Sequence, residues 1–316
     1  MPGRELYAPR RPGHRQTWSA AAAVLAVVFI VLGSAIALAP GLILGLIDAG
    51  GEETGWRGLV YVLVVPFGAT ALLVFAWVAF AERRGLAAIG FNERGLLRFA
   101  RGYGLGLAFL ALVVLVIWTA GGYEVEGGGA FATGAIGSAL VPIAILLLAF
   151  IVQGSTEEIV MRGWLMQVVA SRHGLVIGLV VSSALFSLLH GGNIDLSPAL
   201  AVGLLNIVLV GVFLGLYAAR EGSLWGVCGW HAAWNWLLGL GFGLEVSGQA
   251  VDVTPMVVDL AARASLPFWI TGGAFGPEAS VVASVVLIAG CAWILWRGGY
   301  ADRGVEADVT PASGTA

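Results

Sequence analysis

Two adjacent carboxylates, Glu157 and Glu158, stand inside a helix-length apolar run, in the stretch Gln153-Gly154-Ser155-Thr156-Glu157-Glu158-Ile159-Val160-Met161-Arg162. An ionised side chain at membrane depth costs at least about 2.5 kcal/mol, so an acid kept there marks a functional site by default. Helical spacing separates the two acids. Arg162 lies four residues after Glu158 and shares its face, which accounts for Glu158 as half of a structural ion pair. Glu157 points about 100° away and has no local partner.

Two further sets repeat the four-residue spacing. Phe186 and His190 share one helical face, and His231 and Asn235 share another. Of the four histidines, His14 and His173 fall in polar connections, which leaves His190 and His231 as the two placed in apolar runs. Each set has a plain structural reading. A histidine at the end of a span is usually interfacial, and a His/Asn pair between membrane helices contributes only about 0.6 kcal/mol. Asn206 reads as a residue that joins helices, and Asn193 as one that serves the turn after His190.

A carboxylate beside a histidine in a low-dielectric cavity is suited to take a proton from water. Histidine and asparagine donors aimed at a carbonyl oxygen stabilise an oxyanion. No serine or cysteine is placed as an evident nucleophile, so these residue types favour attack by water on a peptide carbonyl over a covalent intermediate.

The elements that must position these groups are membrane helices. The 316 residues are 59% hydrophobic and 11% charged, against about 25% charged in soluble domains. The expected fold is all-α and polytopic, with a polar cavity between spans four to seven. A span needs about twenty apolar residues, and eight runs qualify: 18–47, 58–81, 102–120, 136–157, 175–191, 199–218, 223–242 and 279–296. None alternates as the strands of a membrane barrel would. The first run is too long for a signal-peptide core and is expected to be retained.

All sixteen basic residues are arginine. Arg4, Arg10, Arg11 and Arg15 precede the first run, and Arg83, Arg84, Arg94, Arg98 and Arg101 fill the second connection. Arg172, Arg220, Arg297 and Arg303 fall on the same side, while only Arg57 and Arg263 fall on the other. The positive-inside rule then puts both termini in the cytoplasm of a multi-pass cell-membrane protein. Counted at about 1.5 Å per residue from the cytoplasmic turns, Glu157 and His190 lie about 22 and 27 Å away, and His231 and Asn235 about 15 and 21 Å. A shared cavity is allowed.

The chain divides into a cytoplasmic segment 1–17, three spans over 18–135 with an amphipathic interfacial loop at 82–101, a core at 136–242, an external loop and last span over 243–303, and a disordered tail at 304–316. Leu266-Pro267-Phe268-Trp269 before Gly272-Gly273 reads as a stretch able to dip back into the bilayer. Cys228 and Cys291 lie in apolar runs, which disfavours a disulfide or a cysteine-based metal site.

In their order and spacing, Glu157-Glu158-x-x-x-Arg162 followed by Gly163, Phe186-x-x-x-His190 and His231-x-x-x-Asn235 resemble the three motifs of the CAAX protease and bacteriocin-processing (CPBP, or Abi) family. These are intramembrane glutamic endopeptidases. The run Gly211–Tyr217 followed by Gly222-Ser223-Leu224-Trp225 is similar to the segment before the family's last motif. The resemblance spans roughly 140–240. It implies that Glu157 and His190 activate water, that His231 and Asn235 form the oxyanion hole, and that Glu158, Arg162 and Phe186 give structural support.

No cofactor is expected. Glu with two histidines is a conceivable zinc set, but the His-Glu-x-x-His spacing of zincins is absent. The expected partners are membrane lipids and a peptide or lipid-modified protein substrate, with no nucleic acid; nothing specifies an oligomeric state. The absence of lysine fits a bacterial source. The competing classes are a non-catalytic scaffold or bacteriocin immunity protein, and a proton-coupled transporter that uses Glu157.

Overall fold

A computed structural model describes residues 5–298; the expected tail at 304–316 lies outside the described residues, as do Arg4 and Arg303. Among the described residues, five helices are long and apolar enough to cross a membrane. They are α1 (Ser19–Ile43), α2 (Gly55–Ala76, prolonged by a π turn at Trp77–Ala81), α3 (Gly95–Thr119), α4 (Ile136–Glu158, prolonged as below) and α7 (Pro198–Glu221). The expected runs at 175–191 and 279–296 form the shorter apolar helices α6 (Leu175–Leu188) and α10 (Val281–Trp296). The run at 223–242 is a short helix, α8 (Trp225–Trp236), followed by a π turn at Leu237–Gly241.

Two boundaries differ from the sequence expectation for physical reasons. The fourth run does not end near Glu157. It continues through a π turn at Ile159–Leu165 into α5 (Met166–His173), a continuous helical path of 38 residues. Arg162 sits inside this path without ending it because Glu158, one turn earlier, neutralises it. Helix α3 begins at Gly95 rather than near 102, because Arg98 is satisfied by the Asn92 side chain and Arg101 pairs with Glu221 of α7.

The connection 82–101 was expected to lie on the bilayer surface as an amphipathic segment, yet its first half is packed inward. Glu82, Arg84, Ala88 and Ile89 are buried. Glu82 Oε1 accepts hydrogen bonds from Trp164 Nε1 at 3.1 Å and from Thr17 Oγ1 at 2.5 Å, and Arg84 Nη2 donates to Glu5 Oε2 at 2.8 Å. These pairings bring the charges inside. At the opposite end, β1 (Tyr123–Gly128) pairs antiparallel with β2 (Val258–Ala262) in the long 243–280 connection, with a bulge between Val125 and Gly127. The Leu266–Gly273 stretch forms a one-turn helix, α9 (Phe268–Thr271), and Phe275 then seats fully buried against Gly203 of α7.

Helix α8 is the axis of the molecule. Trp230, His231, Ala232, Ala233, Trp234 and Asn235 are all buried, because α3 and α4 approach it through glycines. A Cβ on Gly102 or Gly106 would collide with the carbonyls of Gly226 and Trp230. A Cβ on Gly154 would stand 3.0 Å from the Ala232 nitrogen. Small residues at such crossings let backbones meet closely, as membrane helices require for packing and interhelical hydrogen bonds. The Gly154 contact sets one turn of α4, carrying Glu157 and Glu158, beside the second turn of α8, which carries His231.

Candidate active site

Glu157 and Glu158 close α4 where its π turn begins, and π turns recur at functional sites because they re-aim side chains. Glu158 is fully buried and Arg162 Nη1 donates to its Oε1 at 2.9 Å. The same oxygen accepts from His231 Nδ1 at 2.8 Å. Glu158 therefore binds two helices at once. With Nδ1 committed, the other ring nitrogen, Nε2, stands 3.2 Å from Glu157 Oε2. That contact is within ion-pair reach but not aligned as a hydrogen bond, so Glu157 Oε2 is left without a hydrogen-bond partner. Glu157 remains partly exposed, at 18% of its side chain, where Glu158 has none.

Phe186 is the hub of the second motif. Its ring is 4.8 Å from the His190 ring and 6.0 Å from the His231 ring, and the Arg162 guanidinium lies 4.3 Å from its centroid. Such a cation over an aromatic face gains on the order of 0.5–2 kcal/mol, more when desolvated. His190 Nδ1 donates to the Phe186 carbonyl at 2.8 Å. Asn235 Nδ2 donates to Gln153 Oε1 at 2.9 Å, one turn before Glu157 on α4.

A cavity of about 410 Å³ joins these groups; Glu157, His190, His231 and Asn235 all line it, with walls from α1, α2 and α7. Its size suits an extended peptide segment or a small ligand. The four sequence-derived candidates thus face one space. Phe186 lines it as well, while Glu158 and Arg162 sit behind it. Asn206 donates to the Glu278 and Ser280 carbonyls at 2.7 and 2.9 Å, tying α7 to α10. Asn193 does more than serve its turn: it lines the cavity and donates to the Ser247 carbonyl at 2.8 Å. Among the described residues no three His, Cys, Asp or Glu side chains are grouped to hold a metal ion.

Two residues of this site went unread in the sequence. Gln153 opens the Glu157 stretch, but its bond to Asn235 crosses 82 positions and leaves no local trace. Glu278 is buried beside the cavity and accepts from Trp234 Nε1 at 3.0 Å and from the Ser247 nitrogen and hydroxyl at 2.5 and 2.9 Å. Burial pushes its carboxyl up; the donors from Ser247 and Trp234 and the nearby His190 oppose that. Its sequence signal was an acid two residues before Ser280, whose hydroxyl caps α10.

Beneath the site, Tyr7 donates to the Arg162 carbonyl at 2.9 Å, satisfying a group within the π turn. Burial pushes the Tyr7 hydroxyl well above its ordinary range, so it stays a donor.

Residues 139–237 match the family model described as type II CAAX prenyl endopeptidase, Rce1-like. No curated protein and no solved structure matches the chain. The matched segment contains all three motifs, whereas Glu278 and the cavity walls from α1 and α2 lie outside it. Over residues 139–237, about a third of the chain, the sequence is thus similar to the family described as type II CAAX prenyl endopeptidase, Rce1-like.

Proposed function

We propose that the protein is a membrane-embedded glutamic endopeptidase that hydrolyses a peptide bond of a membrane-associated or lipid-modified protein or peptide. The observation that carries this reading is the Glu157 carboxylate, partly open and with one oxygen lacking a hydrogen-bond partner, in the cavity that His190, His231 and Asn235 also line. Glu157, with His190 Nε2, takes a proton from a water molecule, and the hydroxide oxygen bonds to the scissile carbonyl carbon. The carbonyl oxygen becomes an oxyanion. His231 Nε2, when it carries a proton, and the Asn235 amide donate to that oxygen. Glu157 then returns its proton to the leaving nitrogen as the C–N bond breaks, so water supplies everything that is added.

Glu158 and Arg162 act through His231. Their pairing fixes Nδ1 and thereby aims Nε2, a second-layer orientation of the kind that active sites need to hold their geometry. The arginine distribution supports a place in the cell membrane with both termini in the cytoplasm.

The test is cleavage of pooled fluorogenic peptides, some farnesylated at a C-terminal cysteine, by purified wild type and His190→Ala in detergent, with and without chelator. The reading expects wild-type cleavage that survives chelation and falls by about 10²-fold in the variant. Undiminished cleavage by the variant, or loss on chelation, contradicts the mechanism. Folded protein with no cleavage in any pool favours the scaffold reading.

A further inference from the structure

The cavity has a direction. Every connection that carries the arginine excess lies at one end of the bundle: the segment before α1, the α2–α3 connection, the α5–α6 break, the α7–α8 turn and the end of α10. None of them lines the cavity. Segments 5–17, 77–101, 162–174 and 211–229 contribute no lining residue. Beyond Glu157 toward that end, Arg162, Trp164, Leu165, Leu224 and Cys228 are essentially fully buried, and Tyr7 of the leading segment is bonded to the Arg162 carbonyl from below. The floor is closed.

In the other direction the lining runs from Glu157 past His190 and Asn193 to the α1–α2 and 243–280 connections, where Glu53, Gln249 and Ala250 are exposed at its rim. That face holds only Arg57 and Arg263 among the described arginines, with Glu52, Glu53, Glu124, Glu126 and Asp252. The positive-inside rule assigns the arginine-rich end to the cytoplasm.

We infer that the catalytic cavity opens to the extracytoplasmic face, so the substrate is a polypeptide segment presented there: the outer flank of a membrane protein or an exported peptide. The inference rests on the protease reading for the word substrate, but the sidedness of the opening stands without it. The buried floor bars a segment that would enter straight from the arginine-rich end.

The test uses a cysteine-free chain (Cys228→Ala, Cys291→Ala) bearing one new cysteine: Gln249→Cys at the rim, Leu63→Cys on the cavity wall, or Glu93→Cys at the arginine-rich end. Intact cells expressing each variant are treated with a membrane-impermeant thiol reagent, a small methanethiosulfonate for Leu63→Cys and a maleimide for the others. The inference expects Gln249→Cys and Leu63→Cys to react in intact cells and Glu93→Cys only after permeabilisation. Reaction of Glu93→Cys in intact cells with Gln249→Cys protected overturns it, as does a Leu63→Cys that stays inert while the rim reacts. In right-side-out proteoliposomes, external maleimide on Gln249→Cys is then expected to suppress cleavage of a peptide that the detergent-solubilised enzyme cuts, while external treatment of Glu93→Cys leaves it unchanged; suppression only through Glu93→Cys contradicts the inference. Correct labelling with no cleavage even in detergent defeats the protease reading and leaves the sidedness standing.

Discussion

At the scale of single residues, the two acids differ in what their loss would do. Glu158 is fully buried and bonded to both Arg162 and His231, so Glu158→Gln leaves a guanidinium inside the bundle without its counter-charge. Breaking a buried pair by removing one partner costs about 3–5 kcal/mol, while replacing both with apolar groups of similar size is often nearly neutral. A thermal melt in detergent is expected to show a large drop for Glu158→Gln and substantial recovery for Glu158→Leu/Arg162→Met, with activity still lost because His231 is untethered. Asn235 is the other informative residue. Asn235→Ala removes one oxyanion donor and is expected to lower kcat by about 10²–10³-fold with little change in KM. A shift confined to KM places Asn235 in ground-state binding instead. Both acids and the three i, i+4 pairs were legible in the sequence because each pair is local; Gln153 and Glu278 were not, since their partners come from distant segments.

At the scale of elements, the Gly154 crossing sets the distance between Glu157 and His231. Gly154→Val pushes α4 away from the Ala232 backbone, and a displacement near 1 Å at reacting groups is enough to cost about 10²-fold in rate. The expectation is a steep loss of kcat for Gly154→Val and a modest one for Gly154→Ala, whose Cβ meets the Ala232 nitrogen at 3.0 Å; equal activity in all three forms removes the crossing from the account. The cap around β2 adds a pH dependence. Burial raises the Glu245 carboxyl, with Glu126 adding to the shift, and burial raises Asp259 also. Acids with raised folded values bind more protons folded than unfolded, so their contribution favours folding at low pH and declines as pH rises from their ordinary values through the raised ones. Hydrogen exchange over β1 and β2 is expected to slow toward mildly acid pH after correction for intrinsic rates, and Glu245→Gln to flatten that dependence. Apolar runs located these elements well. Their ends escaped because charge pairing, as of Arg162 with Glu158 and Arg101 with Glu221, lets helices continue through residues that read as boundaries.

At the scale of the whole molecule, α8 stands among elements that each bring one part of the proposed chemistry: α4 the acids, α6 and the turn after it Phe186 and His190, and the 243–280 connection a roof pinned by Glu278 to Trp234 and Ser247. The helical membrane class was readable from composition alone, because a chain with so few charges cannot cover itself for water. That the cavity has one closed end was not readable, since it depends on Tyr7, Glu82 and Arg84 folding inward against α4 and its continuation. The central claim is that Glu157 activates the water. Its most direct test is kcat for Glu157→Gln beside wild type on one cleavable peptide, with thermal melting recorded on the same samples. The account predicts a fall of at least about 10²-fold at an unchanged melting temperature; a folded Glu157→Gln protein that cleaves at the wild-type rate contradicts it.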